Sequence, residues 1–284
     1  MFGFLKQVIY LIMNFRFLFF LILCLKTFPI LAQSYTRVIS LAPSVTKNIY
    51  LLGSQKKLVG CTSYCPVNKS DNIQIVGNAV NVSLEKILSL KPDIVITTEL
   101  TSPETIAMLK KSGIKYKVFN TPVNFKGICV QFMETAGLLG KQAEAKLILA
   151  HEQAKLDSLK KLIPNKTKMK IFIELGAKPL FAVIPNTFMH DYIDFVGGEN
   201  IATDMSTGII SRESVLLKNP DVIFITTMGA TGNEEIDAWM QFKTLNAVKS
   251  RKIFKLDSDM ACTPCPDSFS STVELMIKLM YVNQ

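Results

Sequence analysis

Histidine is scarce in this sequence, because its 284 residues contain only two, His151 and His190. The segment HEQAK at His151 lacks the second histidine of a metalloprotease helix, and the sequence shows no pattern typical of a Ser-His-Asp catalytic triad. The glycines of GLLGKQ do not have the spacing of a phosphate-binding P-loop. We therefore predict that the protein is not an enzyme and that it has no catalytic residue, intrinsic cofactor or bound metal.

Clusters of basic residues are also missing, although the formal net charge is +9. No run of lysine and arginine is present, and no basic patch alternates with aromatic residues. Nucleic acid is therefore not an expected partner.

One long apolar run stands near the amino terminus, FLFFLILCL at residues 17–25. It follows basic residues and precedes PILA, which predicts a secretory signal peptide over residues 1–32 with cleavage before Gln33. The run is too short to span a membrane comfortably. Lipid attachment at Cys24 is the alternative, but Leu23 occupies the position where a small residue is expected. We predict a periplasmic protein exported by a cleavable leader.

After the leader, short apolar strands alternate with amphipathic helices, a pattern typical of parallel sheets built from strand–helix–strand units. Residues 33–140 are predicted to form an amino-terminal lobe and residues 164–284 a carboxy-terminal lobe. The predicted strands are 37–42, 57–64, 93–98, 115–120, 169–175, 221–226 and 252–256.

Glycine and proline are absent from residues 141–163, and apolar residues recur there at helical spacing. This predicts one linking helix about 35 Å long. The predicted fold class is α/β, with two Rossmann-like parallel-sheet lobes joined by a single long helix. One continuous α/β domain with a long crossover helix remains an alternative.

Two stretches nearly repeat each other, SLEKILSLKPDIVITT at 83–98 and SRESVLLKNPDVIFIT at 211–226. Each begins with a serine suited to capping a helix, and a Pro-Asp pair starts the following strand. Glu85 and Glu213 are the third residues of the copies. An acid in a first helical turn interacts favourably with the helix dipole. If the lobes are duplicates, both glutamates also lie on one rim, where they suit a partner with two basic patches.

The sequence resembles the helical-backbone periplasmic binding proteins of ABC importers for cobalamin, haem and iron-siderophores. RVISLAPSVTKNIYLLG, LEKILSLKPDIVIT, FVGGENI, SRESVL and PCPDSFSSTVELMIKL carry the resemblance in the same order. It implies a ligand held between two lobes. It also implies that Glu85 and Glu213 dock on arginines of the importer permease. We predict that the protein is a monomer.

Two positions depart from the family pattern. Lys47 stands where the family commonly has an acid, and Ala79 stands near the position of a tryptophan in the cobalamin-binding member. Cobalamin is the first expected ligand, with haem and ferric siderophores as alternatives, so the cargo is a cobalt or iron chelate. The candidate ligand contacts are Tyr64, Asn78, His190 and Met228.

Five cysteines follow the leader, and four of them lie in CTSYC and CTPC. In an oxidising compartment, Cys61, Cys65, Cys262 and Cys265 are disulfide candidates with three possible pairings. A site for zinc or another soft metal usually has two CxxC pairs, and the first pair here is CxxxC, so the sequence matches such a site less well. A thiol–disulfide oxidoreductase using Cys262 and Cys265 is the alternative from another class. Cys129 is predicted to be a buried small residue.

Overall fold

The computed structural model describes residues 34–78, 81–165, 168–226 and 232–282. The predicted leader, Ala79 and Met228 lie outside these ranges. Residues 35–284 form one compact unit, which contains both lobes. No helix among the described residues combines the length and apolarity needed to cross a membrane.

Five parallel strands form the sheet of the amino-terminal lobe, in the order β3-β2-β1-β4-β5. The strands are β1 (Val38–Ser40), β2 (Leu58–Thr62), β3 (Gln74–Gly77), β4 (Ile94–Thr98) and β5 (Tyr116–Phe119). The helices that follow them are α1 (Pro43–Leu51), α2 (Leu84–Ser89), α3 (Pro103–Lys111) and α4 (Phe125–Leu139). Strand β3 was not predicted, because its exposed pattern gives little apolar signal.

The carboxy-terminal lobe contains the second sheet, ordered β10-β9-β6-β7, with β8 also pairing with β6. Its strands are β6 (Lys170–Ala177), β7 (Leu180–Ala182), β8 (Glu199–Asn200), β9 (Val222–Ile225) and β10 (Ile253–Lys255). Strand β7 runs antiparallel to β6, which the sequence pattern did not predict. A two-residue connection between these strands permits only a hairpin, whereas a parallel pair needs a long crossover.

Helix α5 (Gln142–Lys160) connects the two sheets and has 19 residues, a length of about 28 Å. It is shorter than the predicted 141–163, because residues 161–163 form turns before Pro164 and a residue before proline disfavours helix. The remaining helices belong to the second half of the chain. They are α6 (Phe188–Phe195), α7 (Arg212–Lys218), α8 (Gly232–Met240), α9 (Asn246–Lys249), α10 (Ser258–Ala261) and α11 (Pro266–Ile277).

Helix α4 contributes to the cores of both lobes. Phe125 and Ile128 in its first turns pack with β6, β9, α6 and α11 in the carboxy-terminal core. Phe132 and Ala136, further along, pack with β1, β4 and α1 in the amino-terminal core. The lobes are therefore joined by shared packing around α4 as well as by α5. The boundaries 33–140, 141–163 and 164–284 remain predictions.

The sequence repeat is also a structural repeat. Ser83 and Ser211 cap α2 and α7 by accepting backbone hydrogen bonds at 3.3 and 3.1 Å. The Asp93 carboxylate accepts the backbone N–H of Arg37 just before β1, at 2.8 Å. Asp221 accepts the N–H of Lys170 at the start of β6, at 2.9 Å. Each Pro-Asp pair thus joins its own strand to the neighbouring strand of the same sheet, which explains why both copies contain it.

Candidate functional site

The loops that follow the carboxyl ends of strands in the two lobes contact each other. The Lys47 ammonium, in α1 just after β1, donates to the Asp259 carbonyl oxygen and to the Ser268 hydroxyl, both at 3.0 Å. The Cys265 sulfur lies 3.4 Å from the Ser44 carbonyl oxygen. Because α10 and the start of α11 follow β10, these contacts bring the carboxyl edges of the two sheets together. Open α/β sheets bind ligands at that edge.

A second cross-lobe contact follows β5. The backbone N–H of Phe125 donates to the Asp191 carboxylate in the first turn of α6, at 2.7 Å. Burial raises the pKa of Asp191, although this hydrogen bond partly opposes the shift. This polar contact fixes the start of α4 against the other lobe.

Large apolar side chains are exposed in segments near the carboxyl edges of both sheets. In the amino-terminal lobe they follow β2, β4 and β5. In the other lobe, one lies on β7 and the other pairs with it through an isolated antiparallel β-bridge. Their exposed fractions are 70% for Tyr64, 82% for Leu100, 52% for Val123, 38% for Phe181 and 60% for Ile209. Exposed apolar groups near a ligand-binding edge suit contact with an organic molecule.

Of these five residues, sequence reasoning had identified Tyr64 alone. The missed signal for Leu100 and Val123 was a large aliphatic residue in the loop that follows a strand, where polar turn residues are usual. Phe181 and Ile209 were missed because β7 was not predicted.

Two of the other candidate ligand contacts have structural partners. The Asn78 carboxamide oxygen accepts the backbone N–H of Asn81 at 2.7 Å and so helps to hold the turn after β3. His190 Nδ1 lies 3.0 Å from the Asn200 side-chain nitrogen, and Nε2 lies 3.8 Å from the Asp194 carboxylate. Since both ring nitrogens of His190 face neighbours in the fold, the structure favours a structural role for this residue. Met228 lies outside the described residues.

The five cysteines of the described residues are free thiols in the structure. Cys61 and Cys65 are buried at the end of β2, and the Cys65 sulfur lies 3.9 Å from the carbonyl oxygen of Ser40, which pairs with Cys61 across the sheet. Burial raises the pKa of both Cys262 and Cys265. This is opposite to the shift that activates a catalytic thiol, so it disfavours the oxidoreductase alternative. Cys129 is half-buried, not fully buried as predicted.

The two glutamates of the repeat occupy matching positions. Glu85 lies in the first turn of α2 and Glu213 in the first turn of α7, and both are exposed. Hydrogen bonds to its own backbone N–H and to Ser211 lower the pKa of Glu213. Neither carboxylate forms an ion pair within the described part of the chain.

A buried polar cluster lies close to the docking candidate of the carboxy-terminal lobe. The Glu174 carboxylate, on β6, accepts the indole N–H of Trp239 at 2.7 Å. The guanidinium of Arg212 forms an ion pair with Glu235 and lies 4.5 Å from the Trp239 ring centroid. Arg212 directly precedes Glu213, so this cluster connects the first turn of α7 to β6 and α8. Trp239 is buried, as predicted.

Two cavities in the described part of the chain lie away from these candidate residues. One, of about 470 Å³, opens among residues that precede β6, β9 and β10, at the amino edge of the second sheet. Another, of about 410 Å³, is an apolar groove between α4 and α5. No candidate ligand contact lines either cavity.

A sequence profile of the family described as "Periplasmic binding protein" matches residues 38–260. The chain belongs to this family. Like other periplasmic binding proteins, it has a two-lobed α/β structure, so the predicted family and fold class are both confirmed.

Three known proteins show how close the similarity is. An uncharacterized ABC transporter substrate-binding lipoprotein of Bacillus subtilis, YvrC, is 29% identical over 252 residues, covering 84% of this chain and 78% of the relative. The crystal structure of the periplasmic vitamin B12 binding protein BtuF of Vibrio cholerae has a TM-score of 0.71 at 25% identity, covering 86% and 96%. That of the periplasmic heme binding protein HutB of Vibrio cholerae has a TM-score of 0.78 at 21% identity, covering 87% and 99%. The last similarity is one of fold alone.

Proposed function

We propose that this periplasmic binding protein captures a metal chelate between its lobes and delivers it to an ABC importer, with cobalamin as the first candidate ligand. The observation that carries the proposal is the set of exposed apolar side chains near the carboxyl edges of both sheets. The relatives named as an ABC transporter substrate-binding lipoprotein and a vitamin B12 binding protein support the same function.

The chemistry of these side chains suits a large, flat ligand. Aromatic and aliphatic groups cover the face of a macrocycle without needing closely matched polar partners. Tyr64, Leu100 and Val123 supply such groups on one lobe, and Phe181 and Ile209 supply them on the other. The Lys47 and Phe125 contacts support the proposal, because they hold the carboxyl edges of the two sheets close to each other.

Docking on the permease is the second part of the proposal. Glu85 and Glu213 are exposed carboxylates in equivalent turns of the two repeat copies, which suits recognition of paired arginines by steering and register. Replacing both with alanine is expected to abolish transport and leave ligand affinity unchanged. A loss of ligand affinity in the double variant would contradict the docking assignment.

The ligand is tested by titrating cobalamin, haem and a panel of ferric siderophores and recording the melting temperature, since a ligand that binds only the folded state raises it. Leu100→Ser should weaken binding about tenfold, because a leucine contact is lost. The matched control is Leu217→Ser. Leu217 is also an exposed leucine, but it lies near the end of α7 and not at a carboxyl edge of strands. No shift with any ligand, or an equal loss in both variants, would overturn the proposal.

Haem is a second candidate because the Tyr64 ring is largely exposed at the end of β2, and a phenol oxygen can ligate haem iron. A haem complex with a Soret band that disappears in Tyr64→Phe would favour this ligand. An unchanged Soret band in that variant would exclude Tyr64 as the axial ligand.

Export by a cleavable leader is also part of the proposal. The intact mass of the mature protein should correspond to a chain that begins at Gln33. A diacylglycerol-modified chain that begins at Cys24 would establish lipid anchoring instead.

A further inference from the structure

The CxxxC segment at the end of β2 brings two buried thiols together. Cys61 is the fourth residue of β2, and a turn reverses the chain so that the Cys65 N–H donates to the Thr62 carbonyl oxygen at 3.0 Å. The Cys65 sulfur then lies 3.9 Å from the carbonyl oxygen of Ser40, the residue that pairs with Cys61 across the sheet. Two cysteines held this close by one short turn need only a small movement to reach disulfide geometry.

The surroundings of Cys65 differentiate the two thiols. Its sulfur lies 3.2 Å from the Thr62 hydroxyl and 3.9 Å from the Ser40 carbonyl oxygen. The interaction with Cys61 is the main cause that lowers the pKa of Cys65, and the same interaction raises the pKa of Cys61. Cys65 is therefore the stronger candidate for the attacking thiolate of the pair.

The other two cysteines of the sequence prediction have different neighbours. The Cys265 sulfur contacts the Ser44 carbonyl oxygen, and Cys262 ends α10. The short turn that brings Cys65 beside the strand partner of Cys61 therefore favours the Cys61–Cys65 pairing among the three left open by the sequence.

We propose that Cys61 and Cys65 form a reversible disulfide that fixes the turn carrying Tyr64. A small-molecule disulfide, RSSR, or an exported protein disulfide serves as the oxidant. The Cys65 thiolate attacks RSSR, forming a mixed disulfide and releasing RS⁻. Cys61 then loses its proton and attacks the Cys65 sulfur, releasing the second RS⁻. The two thiol protons end on two RSH molecules, and two electrons pass to the oxidant.

The bond has a consequence for the ligand site, which rests on the proposed function. Tyr64 lies inside the five-residue ring that the disulfide closes, and it is exposed near the carboxyl edge of the sheet. Ordering this turn before the ligand binds removes part of the entropy cost of immobilising the Tyr64 side chain. Ligand affinity should therefore be about threefold higher in the oxidised protein.

Tryptic peptides provide a direct test, because each cysteine pair lies on its own peptide. Cleavage after lysine places Cys61 and Cys65 on residues 58–69, Cys262 and Cys265 on residues 256–278, and Cys129 on residues 127–141. The full mature chain is equilibrated in oxidised or reduced glutathione, unfolded with an alkylating reagent and digested without reduction.

The expected result is a peptide 58–69 that is two hydrogen atoms lighter after oxidation and takes up the reagent only after reduction. The oxidised protein should melt about 5 °C higher, as expected for closing a short loop in a domain of this size. Cys61→Ser should leave Cys65 open to alkylation, whereas Cys262→Ser, the control, should leave the 58–69 bond intact. If a variant does not fold, comparison of the oxidised and reduced wild-type protein still tests the pairing.

Joining of peptide 58–69 to peptide 256–278, or full alkylation of peptide 58–69 after oxidation, would overturn the pairing. Equal affinity of the two redox forms for cobalamin would overturn the link to Tyr64. A disulfide in a protein that binds none of the tested chelates would refute the proposed function and leave the pairing intact. Ligand binding by a protein in which Cys61 and Cys65 stay reduced after oxidation would support the proposed function and refute the pairing.

Discussion

The buried carboxyl group of Glu174 should make the stability of the protein depend on pH. Burial is the main cause that raises its pKa from 4.5 to about 7, and repulsion from Glu235 adds to the shift. The indole N–H of Trp239 and the charge of Arg212 oppose it. The folded state therefore binds a proton between about pH 4.5 and 7 that the unfolded chain has released.

The sign of the effect follows from that difference in bound protons. Where the folded state binds more protons, stability falls as the pH rises, and the decrease here is complete above the folded-state pKa. A pKa rise of this size corresponds to roughly 3 kcal/mol of unfolding free energy. The carboxyl group is fully buried, so solvent screening does not reduce the effect much.

Glu174→Gln should remove this dependence. The glutamine oxygen can still accept the indole N–H of Trp239, as the Glu174 carboxylate does at 2.7 Å, and the amide stays uncharged throughout this pH range. We expect the variant to match the wild type near pH 4.5 and to be more stable by up to about 3 kcal/mol at pH 8.

Urea unfolding at the two pH values measures this difference. Asp204→Asn is a suitable control, because Asp204 is an exposed acid paired with Lys218 in the same lobe and its lowered pKa predicts no loss of stability in this pH range. An equal stability difference between wild type and Glu174→Gln at both pH values would refute the reasoning.

Three further predictions concern other parts of the molecule. Lys47→Met should lower the unfolding free energy by about 1–3 kcal/mol in urea titrations, because two cross-lobe acceptors lose their charged donor; an unchanged midpoint would show that this contact is not stabilising. Gly77→Ala should lower the melting temperature, because Gly77 has a φ of +155° and a β-carbon would lie 2.2 Å from the Asn81 carbonyl oxygen; Gly113→Ala, where the β-carbon meets nothing within 4 Å, should lower it less. In transport assays, the Glu85→Ala and Glu213→Ala single variants should each reduce uptake, whereas Glu104→Ala, in the first turn of α3, should not.

The repeat and the long glycine-free segment were sufficient to predict two α/β lobes and a connecting helix. These features are local, because a serine cap, a Pro-Asp pair and helical spacing act within a few residues of the chain. The positions of Glu85 and Glu213 in first helical turns were predictable for the same reason.

Only the tertiary structure decided which distant residues meet. It placed Lys47 against Asp259 and Ser268, and it made α4 part of both cores, because such packing depends on residues far apart in sequence. It also placed the Cys65 sulfur beside Ser40, the strand partner of Cys61, whereas the sequence left three disulfide pairings open. The raised pKa of Glu174 is of the same kind, since burial by surrounding elements cannot be inferred from the sequence around a single carboxylate.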